Sequence, residues 1–154
     1  MALRIERGDF SDQRVIDLLA HHHATCHAVT PKGSAHALDL SGLQSPDIQF
    51  SCAWSDTQLL GIGALKRLDS INGEIKSMHT SQAARRQGVA SKLLIHLISE
   101  ARAMGLQRVS LETGSFAFFA PAVALYRAHG FVDCAPFGSY NPDPNSLFLT
   151  LALA

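Results

Sequence analysis

The stretch ARRQGVASKLL, residues 84–94, places two arginines, a glutamine and a glycine directly before a run of helix-forming residues. A helix N-terminus already presents unpaired backbone N–H groups and a partial positive charge. Two more cations at that end are unfavourable unless an anion binds there. The stretch therefore predicts an anion-binding loop at the start of a helix. The alternative is a solvated basic loop that happens to precede a helix.

The residues on either side of this loop predict a strand before it and a helix after it. EIKSMHT, residues 74–80, reads as the strand, and Val89, Leu93, Leu94 and Leu97 follow the helical i, i+3/i+4 spacing up to Gly105. Gly88 lets a ligand approach the backbone closely, so the N–H groups of residues 86–91 suit a pyrophosphate. Neither a Walker loop nor a GxGxxG turn is present.

The rest of the chain predicts further strands and helices in a regular order. A first strand lies near residues 2–9, and a helix over about residues 12–27 would be capped by Asp9 or Ser11. A loop follows, with one helical turn near Leu38, and two strands precede a turn at SING, where Asn72-Gly73 is the favoured hairpin dipeptide. The later segments read as strand, helix, strand and strand: RVSLET, APAVALYRAHG, FVDCAPF and SLFLTLAL.

These segments predict one fold class. The order is β-α-loop-β-β-β-α-β-α-β-β, with an antiparallel meander in the middle. It corresponds to a mixed, mostly antiparallel sheet flanked by helices, of the α/β or α+β class. A length of 154 residues fits a single domain spanning residues 1–154.

Composition excludes several kinds of partner. The formal net charge is zero, and 17% of residues are charged, which argues against a nucleic-acid binder or a polybasic membrane anchor. No segment reaches the roughly 18 to 20 apolar residues of a membrane span, and the N-terminus is charged too early for a secretory signal. Three scattered cysteines without a CxxC pair indicate reduced thiols. We expect a cytoplasmic protein.

Two motifs resemble those of the GNAT superfamily of acyl-CoA-dependent N-acetyltransferases. The family signature [Q/R]-x-x-G-x-[G/A] stands here as RRQGVA, residues 85–90, at the same strand-to-helix junction. A second family element, a helix ending in a Leu-Tyr…Gly-Phe pattern, stands as ALYRAHGF, residues 124–131. The resemblance covers most of the chain. It implies a sheet splayed in the middle and acetyl-CoA as co-substrate.

The resemblance also implies which residues would bind that co-substrate. The backbone of Met78, His79 and Thr80 would pair with the pantetheine arm beside a strand bulge, and the N–H at about Met78 would stabilise the oxyanion. The pyrophosphate would lie against Arg85, Arg86, Gln87, Gly88, Val89, Ala90 and Ser91. The chain departs from the family at Phe119, where an asparagine often contacts the pantetheine. Phe119 could instead wall the thioester channel or the acceptor pocket.

Catalysis needs an acid for the leaving thiolate and an acceptor for the amine proton. Tyr126 matches the family tyrosine that protonates the thiolate, with core packing as the alternative. Glu74 matches the glutamate of the histone-acetylating branch, and period-2 alternation would put it on the face of Met78. Glu112 ends the neighbouring strand. Either carboxylate could accept the proton, directly or through water, or each could be a surface carboxylate.

The acceptor pocket of this fold forms from the first helix, the loop after it and the last hairpin. The polar candidates there for contacting a cationic amine are Asp39, Tyr140, Asn141 and Asp143, with Ser115 as an additional one. The run His21–His23 predicts no metal site, because consecutive helical residues point in different directions and His23 and His27 have no carboxylate or cysteine at ligand spacing. We therefore expect no metal.

The resulting prediction is an N-acetyltransferase that transfers the acetyl group of acetyl-CoA directly to a primary amine. The neutral charge favours a small-molecule acceptor over a histone-like one, with a protein N-terminus or lysine as the other possibility. The competing hypotheses are a non-catalytic acyl-CoA sensor or interaction module and an unrelated nucleotide-phosphate binder. By analogy with the family, a homodimer formed through sheet edges or helices is possible.

Overall fold

The computed structural model describes residues 3–31, 40–81, 84 and 88–153. Its elements follow the predicted order, and α4 is preceded by a 3-10 turn, Ala117–Phe119. They are β1 Arg4–Arg7, α1 Gln13–Val29, α2 Leu40–Leu43, β2 Ile48–Ser55, β3 Gln58–Arg67, β4 Asn72–Thr80, α3 Val89–Ala103, β5 Arg108–Gly114, α4 Ala120–Ala128, β6 Val132–Asp133 and β7 Ser146–Ala152.

The strands form one seven-stranded sheet in the order β1-β2-β3-β4-β5-β7-β6. Five of its six strand pairs are antiparallel, and β4 with β5 is the parallel pair. The predicted mixed, mostly antiparallel sheet and the central meander are therefore confirmed.

The sheet opens between β4 and β5. Their parallel pairing covers only Asn72 to Glu74 on β4, opposite Arg108 to Ser110 on β5. Beyond these residues the two strands are not paired with each other, so a gap separates their C-terminal halves. The splayed sheet implied by the family resemblance is present at this position.

A β-bulge in β4 accompanies this gap. Ile62 of β3 pairs with His79 and Ala64 pairs with Lys76, so two β4 residues lie opposite Gly63 alone. One of the two, Ser77, has a φ of 57°. An extra residue reverses the alternation of side chains beyond it.

The bulge corrects one expectation, because Glu74 and Met78 do not share a face. The Met78 sulfur lies 2.8 Å from the point that a Cβ on Gly63 would occupy, next to Leu97 of α3. Glu74 instead contacts Tyr140 on the loop before β7. Strict alternation therefore placed Met78 on the wrong side of the sheet.

Three clusters of buried residues pack on the two faces of the sheet, and the two larger ones lie on opposite faces. Ala64 and its neighbour Leu65 belong to different cores, as alternation along β3 requires. The core on one face joins α3 and α4 to β4, β5 and β7, and that on the other joins α1 and α2 to β2 and β3. Because helices pack on both faces of the sheet, they border the gap between β4 and β5, which therefore forms a cleft.

Three local predictions were wrong in detail. Asp12, rather than Asp9 or Ser11, caps α1, and its side chain accepts a hydrogen bond from the backbone N–H of Arg14. Asn72-Gly73 belongs to β4, because Asp69 accepts the backbone N–H groups that close the preceding turn. The strand expected over FVDCAPF shortens to Val132–Asp133.

The described part of the chain contains no helix that is both long enough and apolar enough to span a membrane.

Candidate active site

The gap between β4 and β5 forms a cleft with a volume of about 110 Å³. Its walls come from α1, β4, β5, α4 and the loop before β7, so residues far apart in the sequence meet there. Six of the residues singled out from the sequence line it: Glu74, Met78, Glu112, Phe119, Tyr126 and Tyr140.

One side of the cleft carries a polar cluster of Glu74, which is buried, and Lys76 and Tyr140, which are partly buried. The Tyr140 hydroxyl donates to Glu74 Oε2 at 2.6 Å, and Lys76 Nζ donates to the same oxygen at 3.1 Å and to the Tyr140 hydroxyl at 2.9 Å. Burial raises the pKa of Tyr140, and the Glu74 carboxylate raises it further. Tyr140 therefore stays protonated and acts as a hydrogen-bond donor.

The second carboxylate of the cleft belongs to Glu112 on β5. Its Oε2 accepts a hydrogen bond of 2.7 Å from the Ser146 hydroxyl of the neighbouring strand β7. The cleft thus contains the carboxylates of Glu74 and Glu112 and the ammonium of Lys76. With neutral histidines, the formal charge of these three groups is minus one, which favours a cationic group at this site.

Tyr126 of α4 is only 6% exposed, although it lines the cleft. Its ring packs against Phe131, with the centroids 5.8 Å apart. Burial raises its pKa, and the neighbouring Cys26 thiol raises it further. Tyr126 therefore keeps its proton at neutral pH, and its packing holds the ring in one place.

Phe119 forms part of the cleft wall through close contact with Gly114 at the end of β5. A Cβ on Gly114 would lie 2.1 Å from a carbon of the Phe119 ring, so only glycine permits this contact. Ser115, the next residue, is exposed, and its hydroxyl donates to the Pro144 carbonyl at 2.8 Å. Ser115 lies beside the cleft rather than in its lining.

The predicted anion-binding loop leads into α3 as expected. Gly88 caps the helix with a φ of 79°, and no atom of the described residues lies within 4 Å of the position of an added Cβ. The first turn, which includes Val89 and Ala90, carries no acidic residue, and the Ser91 hydroxyl lies 2.8 Å from His129 Nε2. Arg85, Arg86, Gln87 and the acceptor candidate Asp39 lie outside the described residues.

The β4 edge beside the cleft has the form expected for pairing with an extended ligand. His79 and Thr80 pair with Ile62 and Gly61 of β3 on one side. Toward β5, the described pairing of β4 ends at Glu74. The edge near Met78 is thus exposed to the cleft, as a strand-like ligand requires.

The sequence did not identify His22 or Cys26 as cleft residues. His22 is 8% exposed, and its Nδ1 lies 3.0 Å from Nδ1 of His79. Burial, with smaller contributions from His79 and the adjacent histidines, lowers the pKa of His22 to about 4. Burial raises the pKa of Cys26 to about 11, and Glu112 adds to the shift. Both groups are therefore neutral.

A helical pattern could have revealed these two residues. Positions 15, 19, 22 and 26 recur at the four- and three-residue spacing of one helix face, which begins with buried Val15 and Leu19. Lys76 was also missed, although it lies two residues after Glu74 on the same side of a strand. Among the residues with described positions, no group of three or more His, Cys, Asp or Glu is arranged to hold a metal ion.

Comparison with known proteins relates this geometry to a family. Residues 15–131 match the model of the acetyltransferase (GNAT) family. The uncharacterized N-acetyltransferase YsnE of Bacillus subtilis (strain 168) is 46% identical over 151 residues, covering 98% of this chain and 100% of that protein. The uncharacterized N-acetyltransferase YedL of Escherichia coli (strain K12) is 44% identical, covering 97% of this chain and 94% of that protein.

Solved structures share the fold along the whole chain. A candidate acyl-CoA N-acyltransferase of Klebsiella pneumoniae superposes with a TM-score of 0.83 at 27% identity, covering 99% of this chain and 98% of that one. A Bacillus subtilis acetyltransferase solved in complex with CoA has a TM-score of 0.76 at 19% identity, covering 99% of this chain and 100% of that one. With the match to the family model and the two relatives, these similarities establish that the chain belongs to the GNAT family and is an acetyltransferase.

Proposed function

We propose that this acetyltransferase transfers the acetyl group of acetyl-CoA directly to the primary amine of a small molecule bound in the cleft. The observation that carries the proposal is the meeting of Tyr126, Glu74 and Glu112 around the gap between β4 and β5. A proton donor and two carboxylates around one narrow space are the groups that acyl transfer to an amine requires.

The proposed binding of acetyl-CoA uses the β4 edge and the start of α3. The pantetheine arm would pair with the backbone of Met78, His79 and Thr80, in the gap from which β5 has diverged. The hydroxyls of Ser77 and Ser81 support this arrangement, because both are buried on β4 or just after it and have no hydrogen-bond partner among the described residues. The CoA complex of the Bacillus subtilis acetyltransferase supports the same ligand class.

The proposed pyrophosphate site lies at the N-terminus of α3. The backbone N–H groups of Gly88, Val89, Ala90 and Ser91 begin the helix, and the first turn has no acidic residue to repel an anion. Among the described residues nothing fills the space beside Gly88, which leaves room for a phosphate against the backbone. Arg85, Arg86 and Gln87 would complete the site.

The proposed reaction breaks one C–S bond and forms one C–N bond. Glu74 or Glu112 accepts a proton from the bound ammonium, directly or through water, so that the neutral nitrogen can attack the acetyl carbonyl. The backbone N–H near Met78 stabilises the negative charge that develops on the carbonyl oxygen. Tyr126 donates its proton to the departing sulfur, and Phe119 packs beside the channel. No cysteine acts as a covalent relay.

The size and charge of the cleft support a small acceptor. Its volume of about 110 Å³ is small for a cleft that must also hold the thioester, and its formal charge attracts an ammonium. Tyr140 lines the cleft and would contact the acceptor there, and Asp39 and Ser115 are the other proposed contacts. A protein acceptor could place only the amino group of a lysine or of its N-terminus, with the nearest atoms, in the same narrow space.

Calorimetric binding of acetyl-CoA, with ATP as the reference ligand, tests the cofactor site. Gly88→Glu should weaken acetyl-CoA binding at least about 100-fold, because it places a carboxylate where the pyrophosphate binds. Gly105→Glu is the matched control: Gly105 lies at the other end of α3 with a φ of 77° and equally open surroundings. It introduces the same charge and backbone strain and should bind acetyl-CoA normally.

Turnover of acetyl-CoA with a panel of primary amines then tests the reaction. Acetylated product from the wild type supports the enzyme. Tight binding of acetyl-CoA without any product would favour a sensor, and equal affinity for ATP and acetyl-CoA would indicate a nucleotide-phosphate binder.

A further inference from the structure

The cleft buries a lysine that the proposed chemistry does not use. The Lys76 side chain is only 10% exposed and lines the cleft on the same side as Glu74, whose side chain is 5% exposed. Burying an ammonium is unfavourable unless its charge is compensated and its hydrogens are bonded. A role for Lys76 therefore has to account for both its charge and its three N–H donors.

The hydrogen bonds of Lys76 are incomplete. An ammonium has three donors, and Nζ donates to two acceptors among the described residues, Glu74 Oε2 at 3.1 Å and the Tyr140 hydroxyl at 2.9 Å. Both partners are held in place, because Tyr140 donates to Glu74 at 2.6 Å and its ring centroid lies 5.5 Å from Nζ. The third donor is thus fixed in orientation and remains for a ligand in the cleft.

Charge gives the second argument. In a cleft that binds only a cationic amine, Glu74 and Glu112 would both attract the ammonium. Lys76 cancels the charge of Glu74 and so weakens that attraction. A cation beside a carboxylate, in a cleft with a second carboxylate, instead suits a ligand that carries both charges. A monoanion fits better than a dianion, because both glutamates would repel extra negative charge.

Resting on the proposed function, we infer that the acceptor is an amino acid or a similar amino carboxylate, whose carboxylate accepts a hydrogen bond from Lys76. Glu74 and Tyr140 act as positioning residues that hold the ammonium toward the acceptor. The amino group of the acceptor then lies nearer Glu112 and the thioester, and the carboxylate lies against the polar cluster of Glu74, Lys76 and Tyr140.

The test compares matched acceptors. Each proteinogenic amino acid is assayed beside the amine that lacks its carboxylate and beside its neutral primary amide, with acetyl-CoA saturating. The wild type should acetylate at least one amino acid with a kcat/KM about 10- to 100-fold above that of both analogues. The readout is this ratio, so a general loss of activity does not affect it.

Variants then assign the ratio to Lys76. Lys76→Met should reduce the preference for the carboxylate to about one, mainly through KM, and Lys76→Arg should restore part of it. Lys76→Met removes the cation that pairs with the buried carboxylate of Glu74. The double variant Lys76→Met/Glu74→Gln also removes that carboxylate charge, so the cluster stays neutral, and it should lose the same preference for the carboxylate. Lys92→Met, at an exposed position of α3, is the matched control and should keep the wild-type ratio.

Three results would overturn the inference. The first is a wild type whose kcat/KM for the amines or the amides equals or exceeds that for every amino acid. The second is a Lys76→Met variant that slows all acceptors equally, because Lys76 would then act on acetyl-CoA or on the fold.

The third is a wild type that acetylates no amine of any kind. In that case the proposed function fails together with this inference, whereas turnover without a carboxylate preference contradicts this inference alone.

Discussion

Acidification should destabilise the protein through His22, the buried histidine of the cleft wall. Its pKa is lowered to about 4 in the folded protein, from 6.5 for an ordinary histidine, chiefly by burial. The unfolded chain therefore binds more protons than the folded one between these two values. Stability contributed by neutral His22 is complete above about pH 6.5 and is lost as the pH falls toward about 4.

The magnitude follows from the two pKa values. The whole shift corresponds to about 3 kcal/mol, and at about pH 5 roughly 2 kcal/mol of it is already lost. The groups that face His22 are His79 on β4, 3.0 Å away, and Cys26 on the next turn of α1, 3.9 Å away. A protonated His22 would thus lie in a poorly solvated site without a carboxylate bonded to it among the described residues.

Denaturant unfolding at about pH 7.5 and about pH 5 measures the effect, with the free energy of unfolding obtained for each variant. The wild type should lose roughly 2 kcal/mol more than His22→Gln over this interval. His27→Gln, at an exposed position of the same helix, should follow the wild type. Because His22→Gln also alters packing and the contact with His79, the comparison uses the change with pH and not the stability at one pH.

Parallel pH profiles for the wild type and His22→Gln would refute this reasoning, because they would mean that His22 keeps an ordinary pKa in the folded protein. A wild type that gains stability on acidification relative to His22→Gln would contradict the sign of the argument.

Two predictions concern catalysis. Tyr126→Phe should lower kcat about 100-fold. The affinity for acetyl-CoA, measured by calorimetry, and the free energy of unfolding should change little, because the ring still fills its site. An unchanged kcat would exclude Tyr126 as the acid. Of Glu74→Gln and Glu112→Gln, the variant that removes the proton acceptor should lower kcat/KM at least about 100-fold. If neither variant lowers kcat/KM, neither carboxylate accepts the proton.

The order of the elements could be predicted because its signals are local. Gly88 and Gly105 delimit α3, and both have the positive φ that their neighbours in sequence suggest. Asn72-Gly73 shows the limit of such signals. The dipeptide favours a turn, but Asp69 closes the turn earlier by accepting two backbone N–H groups. Gly73 then pairs with Arg67 of β3 and Asn72 with Arg108 of β5, so both residues belong to β4.

The candidate site could be predicted only in part, because sequence signals are local and the site joins distant segments. Glu74, Glu112, Tyr126 and Tyr140 were identified singly, by residue type and by family motif, and the structure brings them into one cleft. Their partners were not identified. Whether Tyr140 reaches Glu74 depends on a chain separation of 66 residues, and no local pattern records that contact.

The sequence alone determined the element order, the sheet class and the family, because periodicity, turn residues and motifs act over a few neighbours. The tertiary structure decided which side chains meet. One extra residue in β4 moved Met78 to the other face, and the separation of β4 from β5 created the cleft. The fold of α1 against that cleft buried His22, and the loop before β7 completed the cluster around Lys76. Such contacts arise from packing between distant segments, whose relative positions are set by the whole sheet.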